Sequence, residues 1–348
     1  MKNKEYIIHA GDDLSKVFKE SIQENQPAEQ KEFPLLAIDG GGTKTIAVIT
    51  DEKGNVLSTG KSGTANYHVA GKKGAINTLK EVITKAVNNL KEHYYPDRFV
   101  EISFQKCVFA LAGIDTNIDQ VNVDEIVSQA LAKSGVKINK VIIENDALSV
   151  LLGATNNQPG AILIAGTGSI VFAHDGKDNY VRTGGLGHRL GDEGSGYWIG
   201  KQAISAILKM HDGRGPKTLL QELVLEHFNF TDHEALYNWV YSPDFSIHQV
   251  GALAKIVEKA NYQEDAVSRT ILERSADELY QLVSTAVKRI GITEVPFKLL
   301  LLGGVLQNSD FVKGQLLDRV KQTMPDADLL STHKKPIELI VQRGLNGM

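Results

Sequence analysis

One pattern occurs twice in this sequence: an apolar run, a turn rich in glycine and hydroxyl residues, and a returning apolar run. In the first copy Leu35–Asp39 leads into Gly40-Gly41-Gly42-Thr43-Lys44. In the second copy Ala161–Ala165 leads into Gly166-Thr167-Gly168-Ser169. A polar turn and a third short run follow each time, which predicts an antiparallel meander. An internal repeat at this spacing predicts two related domains.

Material for a parallel sheet follows each meander. Cys107–Ala112 and Val141–Ile143 are apolar runs that come after the helix-like segments Gly74–Leu90 and Val121–Lys133. Phe297–Leu302 is a further apolar run in the second half. Alternation of strands and helices predicts α/β domains, and 348 residues are enough for two of them.

Composition excludes several classes of protein. The net charge is −4, which argues against nucleic acid as a partner because phosphate binding needs clustered cations. The single cysteine, Cys107, allows no disulfide framework and no cysteine-only metal or iron–sulfur site within one chain. No segment has the length and apolarity of a signal peptide or a membrane span, so we expect no membrane partner and a cytoplasmic location.

The amino-terminal segment has the character of an extension. Residues 1–33 precede the first meander, and apolar residues at helical spacing predict a helix there, with Leu14, Val17, Phe18 and Ile22 on one face. The polar stretch Glu24–Glu32 contains a proline and predicts a linker.

The two glycine turns are candidate phosphate sites. Glycines let backbone N–H groups approach phosphate oxygens, and a hydroxyl side chain adds a donor. In the first turn Asp39 could also hold Mg²⁺ through water. A single glycine turn is weak, since hairpins use glycine too, but a matching pair is far more specific.

Two further segments carry polar groups suited to a substrate. Asn145-Asp146 directly follows a predicted strand, where carboxylates project towards ligands in α/β sheets; the alternative is a helix cap for the residues that follow. The stretch Gly184–Gly196 has six glycines in thirteen residues and contains Asp192. Such a loop suits sugar hydroxyls, and the alternative is a purely structural loop.

Together these motifs resemble the N-acetylglucosamine kinase branch of the actin/hexokinase/heat-shock ATPase superfamily. This branch is grouped with the activator ATPases of benzoyl-CoA and hydroxyacyl-CoA reductases. The resemblance runs from about Pro34 to near the carboxyl end. It implies an α/β fold of two ribonuclease-H-like (actin-like ATPase) domains with an inter-domain cleft, over residues 34–146 and 147–335. A last helix, 336–348, is expected to pack back on the first domain.

The resemblance also implies residue roles. Nucleotide contacts are expected from Asp39, Gly41, Gly42, Thr43, Lys44, Gly166, Thr167, Gly168, Ser169, Gly303 and Gly304, with Asp39 also at the metal. Sugar contacts are expected from Asn66, Asp115, Asn145, Gly185, Leu186 and Asp192. Asp146 is the expected general base, and Asp115 is its competitor because it too ends a strand.

The implied activity is phosphorylation of an amino sugar by ATP with Mg²⁺, with N-acetylglucosamine converted to its 6-phosphate. N-acetylmuramic acid and glucosamine are alternative substrates, because Leu186 stands where some relatives carry tryptophan. A reductase-activator ATPase would need cysteines at a dimer interface, and a sugar-responsive repressor would need a DNA-binding domain. We expect a homodimer.

Overall fold

A five-stranded sheet forms the centre of each of two units. The computed structural model describes residues 28–177 and 179–346; the first unit ends at Glu144 and the second spans Asn145–Asn346. The predicted amino-terminal helix within residues 1–27 lies outside the described residues. The prediction of an α/β fold is confirmed in both units.

The first unit has strand order β3-β2-β1-β4-β5. Its strands are β1 (Glu29–Gly40), β2 (Thr45–Thr50), β3 (Val56–Ser62), β4 (Val100–Leu111) and β5 (Lys137–Asn145), and its helices are α1 (Tyr67–Tyr94) and α2 (Asn117–Ser134). The first three strands form the predicted antiparallel meander, and β1 pairs in parallel with β4. Apolar residues of β1, β4 and α1 form one buried core, including Ile38, Leu79 and Phe109. This pairing brings the carboxyl ends of β1 and β4 side by side, at Gly40 and Leu111.

The linker predicted over Glu24–Glu32 is wrong in its last four residues. β1 already begins at Glu29, which pairs with Val100 of β4. Polar residues form strand here because pairing with a neighbouring strand satisfies their backbone groups, while their side chains are largely exposed. The linker prediction failed for these residues because it was based on side-chain polarity, which does not show whether the backbone pairs with another strand.

The second unit repeats the plan, with strand order β10-β9-β6-β7-β8. Its strands are β6 (Gly160–Ala165), β7 (Ser169–His174), β8 (Tyr180–Gly184), β9 (Phe297–Leu302) and β10 (Ala327–Leu330). Its helices are α3 (Asp146–Thr155), α4 (Gly196–His211), α5 (Leu220–Phe228), α6 (His233–Val240), α7 (Ile247–Ala252), α8 (Ala254–Tyr262), α9 (Ala266–Ile290), α10 (Gly304–Asn308), α11 (Asp310–Thr323) and α12 (Pro336–Leu345). The meander β6–β8 is antiparallel and β6 pairs in parallel with β9, as in the first unit. The predicted internal repeat is therefore present in the fold.

The last helix, α12, was expected to pack back on the first domain, but its partner lies in the second unit. α12 packs against α3, and both helices belong to the second unit. The approach is close at Gly153, where an added Cβ would lie 2.0 Å from the carbonyl oxygen of Leu339. Glycine at this position lets the two helix backbones meet. Within the described ranges, no helix combines the length and apolarity needed to cross a membrane.

His174 is a buried titratable side chain at the end of β7. The Gly176 backbone N–H donates to its Nδ1 at 3.2 Å, so the ring proton sits on Nε2, 2.9 Å from the Thr155 hydroxyl. Burial lowers the pKa of His174 to about 4, and the nearby Arg343 adds to this while Asp175 opposes it. The imidazole is therefore neutral in the folded protein at neutral pH.

We expect His174 to make the protein sensitive to acid. An unfolded histidine begins to bind a proton near its ordinary pKa of 6.5, whereas the folded one resists until about 4. Folding stability should therefore fall as the pH drops from 6.5 towards 4, by about 3 kcal/mol at most. The measurement is the free energy of unfolding by denaturant at stepped pH. His174→Asn should flatten this slope, and His333→Asn, at an exposed histidine, should leave it unchanged.

Candidate active site

The first glycine turn, between β1 and β2, is open to ligands. It closes through the Gly41 N–H, which donates to the Lys44 carbonyl at 3.0 Å, and Gly42, Thr43 and Lys44 are exposed. A Cβ on Gly42 would meet nothing within 4 Å, and this residue has no left-handed φ. Neither packing nor backbone angle thus requires glycine at Gly42. A ligand that approaches the backbone would require it.

Asp39 precedes this turn and is half-buried. Burial raises the pKa of its carboxyl group, and the nearby Lys44 opposes this only in part. A desolvated carboxylate of this kind is stabilised by an added cation, and oxygen ligands suit Mg²⁺. Asp39 therefore fits the metal role that its position in the sequence predicts.

The candidate sugar residues Asn66 and Asp115 lie beside the first turn. The Thr64 hydroxyl donates to the Gly41 carbonyl at 2.9 Å, which ties the segment of Asn66 to the turn, and the Ala112 N–H, on the loop of Asp115, donates to the Gly40 carbonyl at 2.9 Å. Asn66 caps α1, its Oδ1 accepting from the His68 N–H at 3.0 Å. Gly113 has a φ of +88°, and an added Cβ there would lie 2.8 Å from the same Oδ1. The loop that carries Asp115 and the cap of α1 are therefore packed together.

Asp119 organises this corner, although the sequence did not single it out. It is buried, and donors from both α1 and the Asp115 loop reach its carboxylate: Tyr67 Oη, Thr116 Oγ1 and the N–H groups of Asp115 and Thr116. His68 Nε2 lies 3.2 Å away. Burial alone would raise the pKa of Asp119, but the hydrogen bonds from Tyr67 and Thr116 outweigh it and lower the pKa.

His68, Asp115 and Asp119 also meet the distance test for a metal site. One ligand atom from each lies within 4.8 Å of the others. However, hydrogen-bond donors from Tyr67, Asp115 and Thr116 already occupy the Asp119 carboxylate. This cluster is better explained as the support that fixes the Asp115 loop.

The second glycine turn lies between β6 and β7 and is held by hydrogen bonds from the N-terminus of helix α4. The Gly196 and Tyr197 N–H groups of α4 donate to the Gly166 and Thr167 carbonyls at 2.8 and 3.1 Å. As at Gly42, a Cβ on Gly166 would meet nothing within 4 Å, and its φ is not left-handed. The two copies of the pattern therefore share a glycine that the fold itself does not need.

Asp192, from the glycine-rich loop, lies directly behind this second turn. A Cβ on Gly168 would be 2.9 Å from its Oδ2, and the Ser169 N–H points at its Oδ1 from 3.4 Å. Burial raises the pKa of Asp192, while the Ser169 N–H opposes this. The structure thus places a predicted sugar residue against the predicted phosphate turn. Gly185 is held there too, its N–H donating to the Ser169 carbonyl at 2.9 Å, whereas Leu186 is 63% exposed.

A cavity of about 330 Å³ opens beside the second turn. It brings together two segments that the sequence assigned to the nucleotide, Gly166-Thr167 and the Gly304 end of β9. Gly303 must be glycine, because its φ is +102° and an added Cβ would lie 2.3 Å from the Ala165 carbonyl oxygen. The other lining residues include His248, Gly251, Lys255 and Asn308, which sequence reasoning missed. They come from short helices with no recognisable local motif.

Asn145 and Asp146 form the start of α3. Asn145 is the N-cap, its Oδ1 accepting from the Ala147 N–H at 2.9 Å, so the capping alternative is correct for this residue. Asp146 is the first helical residue and is half-buried. Its Oδ1 also lies 2.9 Å from the Ala147 N–H. A carboxylate at a helix N-terminus is stabilised in its charged form.

Comparison with known proteins gives the family. The model of the BadF/BadG/BcrA/BcrD ATPase family matches residues 36–336. This chain is a member of that family. The match contains both glycine turns, the glycine-rich loop and Gly303-Gly304.

Individual relatives are similar over nearly their whole length. The N-acetyl-D-glucosamine kinase of Dictyostelium discoideum is 32% identical over 87% of this chain and 94% of its own. The N-acetylmuramic acid/N-acetylglucosamine kinase of Clostridium acetobutylicum is 30% identical over 85% of this chain and 93% of its own. A crystal structure from Chromobacterium violaceum, assigned as an N-acetylglucosamine kinase, superposes with a TM-score of 0.66 at 22% identity, covering 89% of this chain and 98% of its own. The two-domain actin-like ATPase fold is thereby confirmed.

Gly166, the glycine of the second turn that packing does not require, allows a direct test of nucleotide binding. Gly166→Ala should fold normally, since the new Cβ has room, but should weaken ATP binding about tenfold or more by blocking backbone approach. Gly314→Ala, on α11 with equally open space, is the matched control and should leave ATP affinity unchanged. Calorimetric titration with ATP measures both. Equal affinities in the two variants would remove the turn from the nucleotide site.

Proposed function

We propose that this protein is an ATP-dependent amino-sugar kinase, with N-acetylglucosamine converted to its 6-phosphate as the leading reaction. The observation that carries the proposal is the pair of glycines, Gly42 and Gly166, that neither packing nor backbone angle requires. Polyphosphate binding supplies the missing reason for them. The two curated relatives described above support the choice of an amino sugar.

Phosphate contacts are assigned to Gly41, Gly42, Thr43 and Lys44 in the first unit and to Gly166, Thr167, Gly168 and Ser169 in the second, and the adenosine to the cavity beside Gly304. The Gly41 and Gly166 N–H groups already donate within their turns, so other N–H groups and hydroxyls would meet the phosphates. Lys255 lines this cavity and has no carboxylate partner among the described residues, so it can meet phosphate charge. Asp39 would hold Mg²⁺, which supplies charge neutralisation at the phosphates when bound. A cytoplasmic location and a homodimer remain predictions from the sequence.

Sugar contacts are assigned to Asn66 and Asp115 in the first unit and to Asn145, Gly185, Leu186 and Asp192 in the second, and the general base to Asp146. Phosphoryl transfer chiefly needs positioning and charge stabilisation, with a carboxylate to accept the hydroxyl proton. Asp146 has a fixed position at the start of α3. Asp115 remains the competitor, since its loop is held rigidly by Asp119 and lies beside Asn66. Mutation distinguishes the two.

Asp146→Asn preserves shape and should lower kcat by a factor of about 10²–10⁴ if this carboxylate is the base. Sugar and ATP should still bind, because only the proton acceptor is lost. Asp115→Asn should instead act mainly on the KM for the sugar. Steady-state kinetics of both variants, with sugar-dependent ADP release as the signal, give the result. Full turnover in Asp146→Asn together with its loss in Asp115→Asn would exchange the two roles.

Leu186 bears on the choice of sugar. Its side chain is largely exposed. The resemblance to the N-acetylglucosamine kinases implies a tryptophan at this position in some relatives. We expect the smaller residue to leave room for a lactyl ether, so N-acetylmuramic acid should react at a rate comparable to N-acetylglucosamine. Leu186→Trp should reduce kcat/KM for N-acetylmuramic acid at least tenfold while sparing the smaller sugar. A panel of amino sugars with Mg²⁺ and ATP measures this, and strong preference of the unmodified protein for N-acetylglucosamine would contradict it.

A further inference from the structure

A second cavity, of about 390 Å³, lies in the Asn145–Asn346 unit away from the candidate nucleotide pocket. The last turns of α4, the loop 214–217 and the first turns of α9 surround it. It shares no lining residue with the cavity beside Gly304. Its volume is within the range of small-molecule sites.

The charge of this second cavity is strongly positive. Lys209, Arg214, Lys217 and Arg274 all line it, in a chain whose net charge is −4. Arg214 is paired with Asp212 at 2.5 Å. Among the described residues, neither Lys209 nor Lys217 has a carboxylate partner. The cavity therefore holds an excess of positive charge that the protein itself does not neutralise.

The remaining cation is oriented by an aromatic ring. The Arg274 guanidinium carbon lies 5.3 Å from the ring centroid of Trp198, which is a cation–π contact. Guanidinium groups bind phosphate through two parallel hydrogen bonds. Arg274 is thus suited to receive a phosphate group, not merely to solvate the surface.

The first turn of α9 adds to the same field. Val267 and Thr270 line the cavity, so it opens onto a helix N-terminus, which carries partial positive charge. Two acidic residues lie next to lining residues: Asp212 is paired with Arg214, and Asp265, which precedes Ala266, is the helix cap and is buried. Its oxygens accept from the Ser268 and Leu219 N–H groups and from Thr218 Oγ1, so they are already occupied.

The rest of the wall is neutral and mixed. Gln202, Ser205 and Thr270 offer hydrogen-bonding groups, while Ala206 and Ile271 are apolar. Sugar rings present hydroxyl groups at their edges and C–H groups on their faces, which such a wall matches. A bare phosphate would use only the cationic part of the cavity.

We propose that this cavity is a second binding site, for a phosphorylated monosaccharide whose phosphate meets Lys209, Lys217 and Arg274. Binding itself does not depend on kinase activity; the choice of a hexosamine phosphate as ligand rests on the proposed function. Helix α4 links the two cavities, because Lys209 lines this one and the Gly196 and Tyr197 N–H groups hold the Gly166-Thr167 turn at the other. Occupancy of the second site therefore changes ATP affinity, and ATP changes affinity for the sugar phosphate by the same factor.

The test compares charge reversals inside and outside the cavity. Three full-length proteins are titrated calorimetrically with N-acetylglucosamine 6-phosphate. They are the unmodified protein, the cavity variant Lys209→Glu/Lys217→Glu, and the control variant Lys313→Glu/Lys321→Glu, whose changes lie on the exposed surface of α11. Binding at the active site is common to all three proteins, so their difference isolates the second site. We expect the cavity variant to lose one binding event, weakened at least tenfold, and the control to retain it.

Three results would overturn the proposal. One is identical titrations for the two double variants. Another is inorganic phosphate binding as tightly as the sugar phosphate, which would show a nonspecific anion patch. The third, unchanged ATP affinity in the presence of saturating sugar phosphate, would remove the coupling through α4. Sugar-dependent ADP release is measured alongside for the unmodified protein and the cavity variant. Its absence in the unmodified protein would defeat the proposed kinase function and leave the binding comparison intact.

Discussion

The parallel pairing of β6 with β9 is the constraint on which the second unit's site depends. Ile164 lies opposite Leu302, so the two strands end together and the Gly166 turn emerges beside Gly303. The fit is close enough that Gly303 has no room for a side chain. The pairing of β1 with β4 does the same in the first unit, where Gly40 opposite Leu111 brings the Asp39 turn next to the Asp115 loop. Each candidate site is thus formed where two parallel strands end, as in other α/β sheets.

Glycines in this protein serve two different physical needs. At Gly153 and Gly303 the fold excludes a side chain, because another backbone occupies the space. At Gly42 and Gly166, as at Gly314, the space is open, so packing does not explain the glycine. The sequence cannot distinguish a glycine that packing requires from one with open space around it, because both are glycine. Only the positions of neighbouring atoms tell which glycines the packing of the chain requires.

Two buried aspartates show how the number of donors sets the behaviour of a carboxylate. Asp119 receives several hydrogen bonds and has a lowered pKa, so it acts as a fixed acceptor that ties α1 to the Asp115 loop. Asp192 receives a long one from Ser169, and burial raises its pKa. Its carboxylate, beside the second turn, therefore has fewer donors than that of Asp119. Chemical type alone would have assigned both residues the same role.

The sequence by itself determined the two meanders and the α/β alternation, because glycine turns and apolar periodicity act over a few neighbouring positions. It offered the Asn145 cap as an alternative, which the structure decided. It also located both glycine turns and Gly303-Gly304. Only the tertiary structure decided that β1 begins at Glu29, that α12 packs on α3, and that Lys255 and Asn308 line the cavity beside Gly304. Each of these depends on pairing or packing between segments far apart in the chain. A local pattern contains no information on such partners, so they appear only once the sheets have formed.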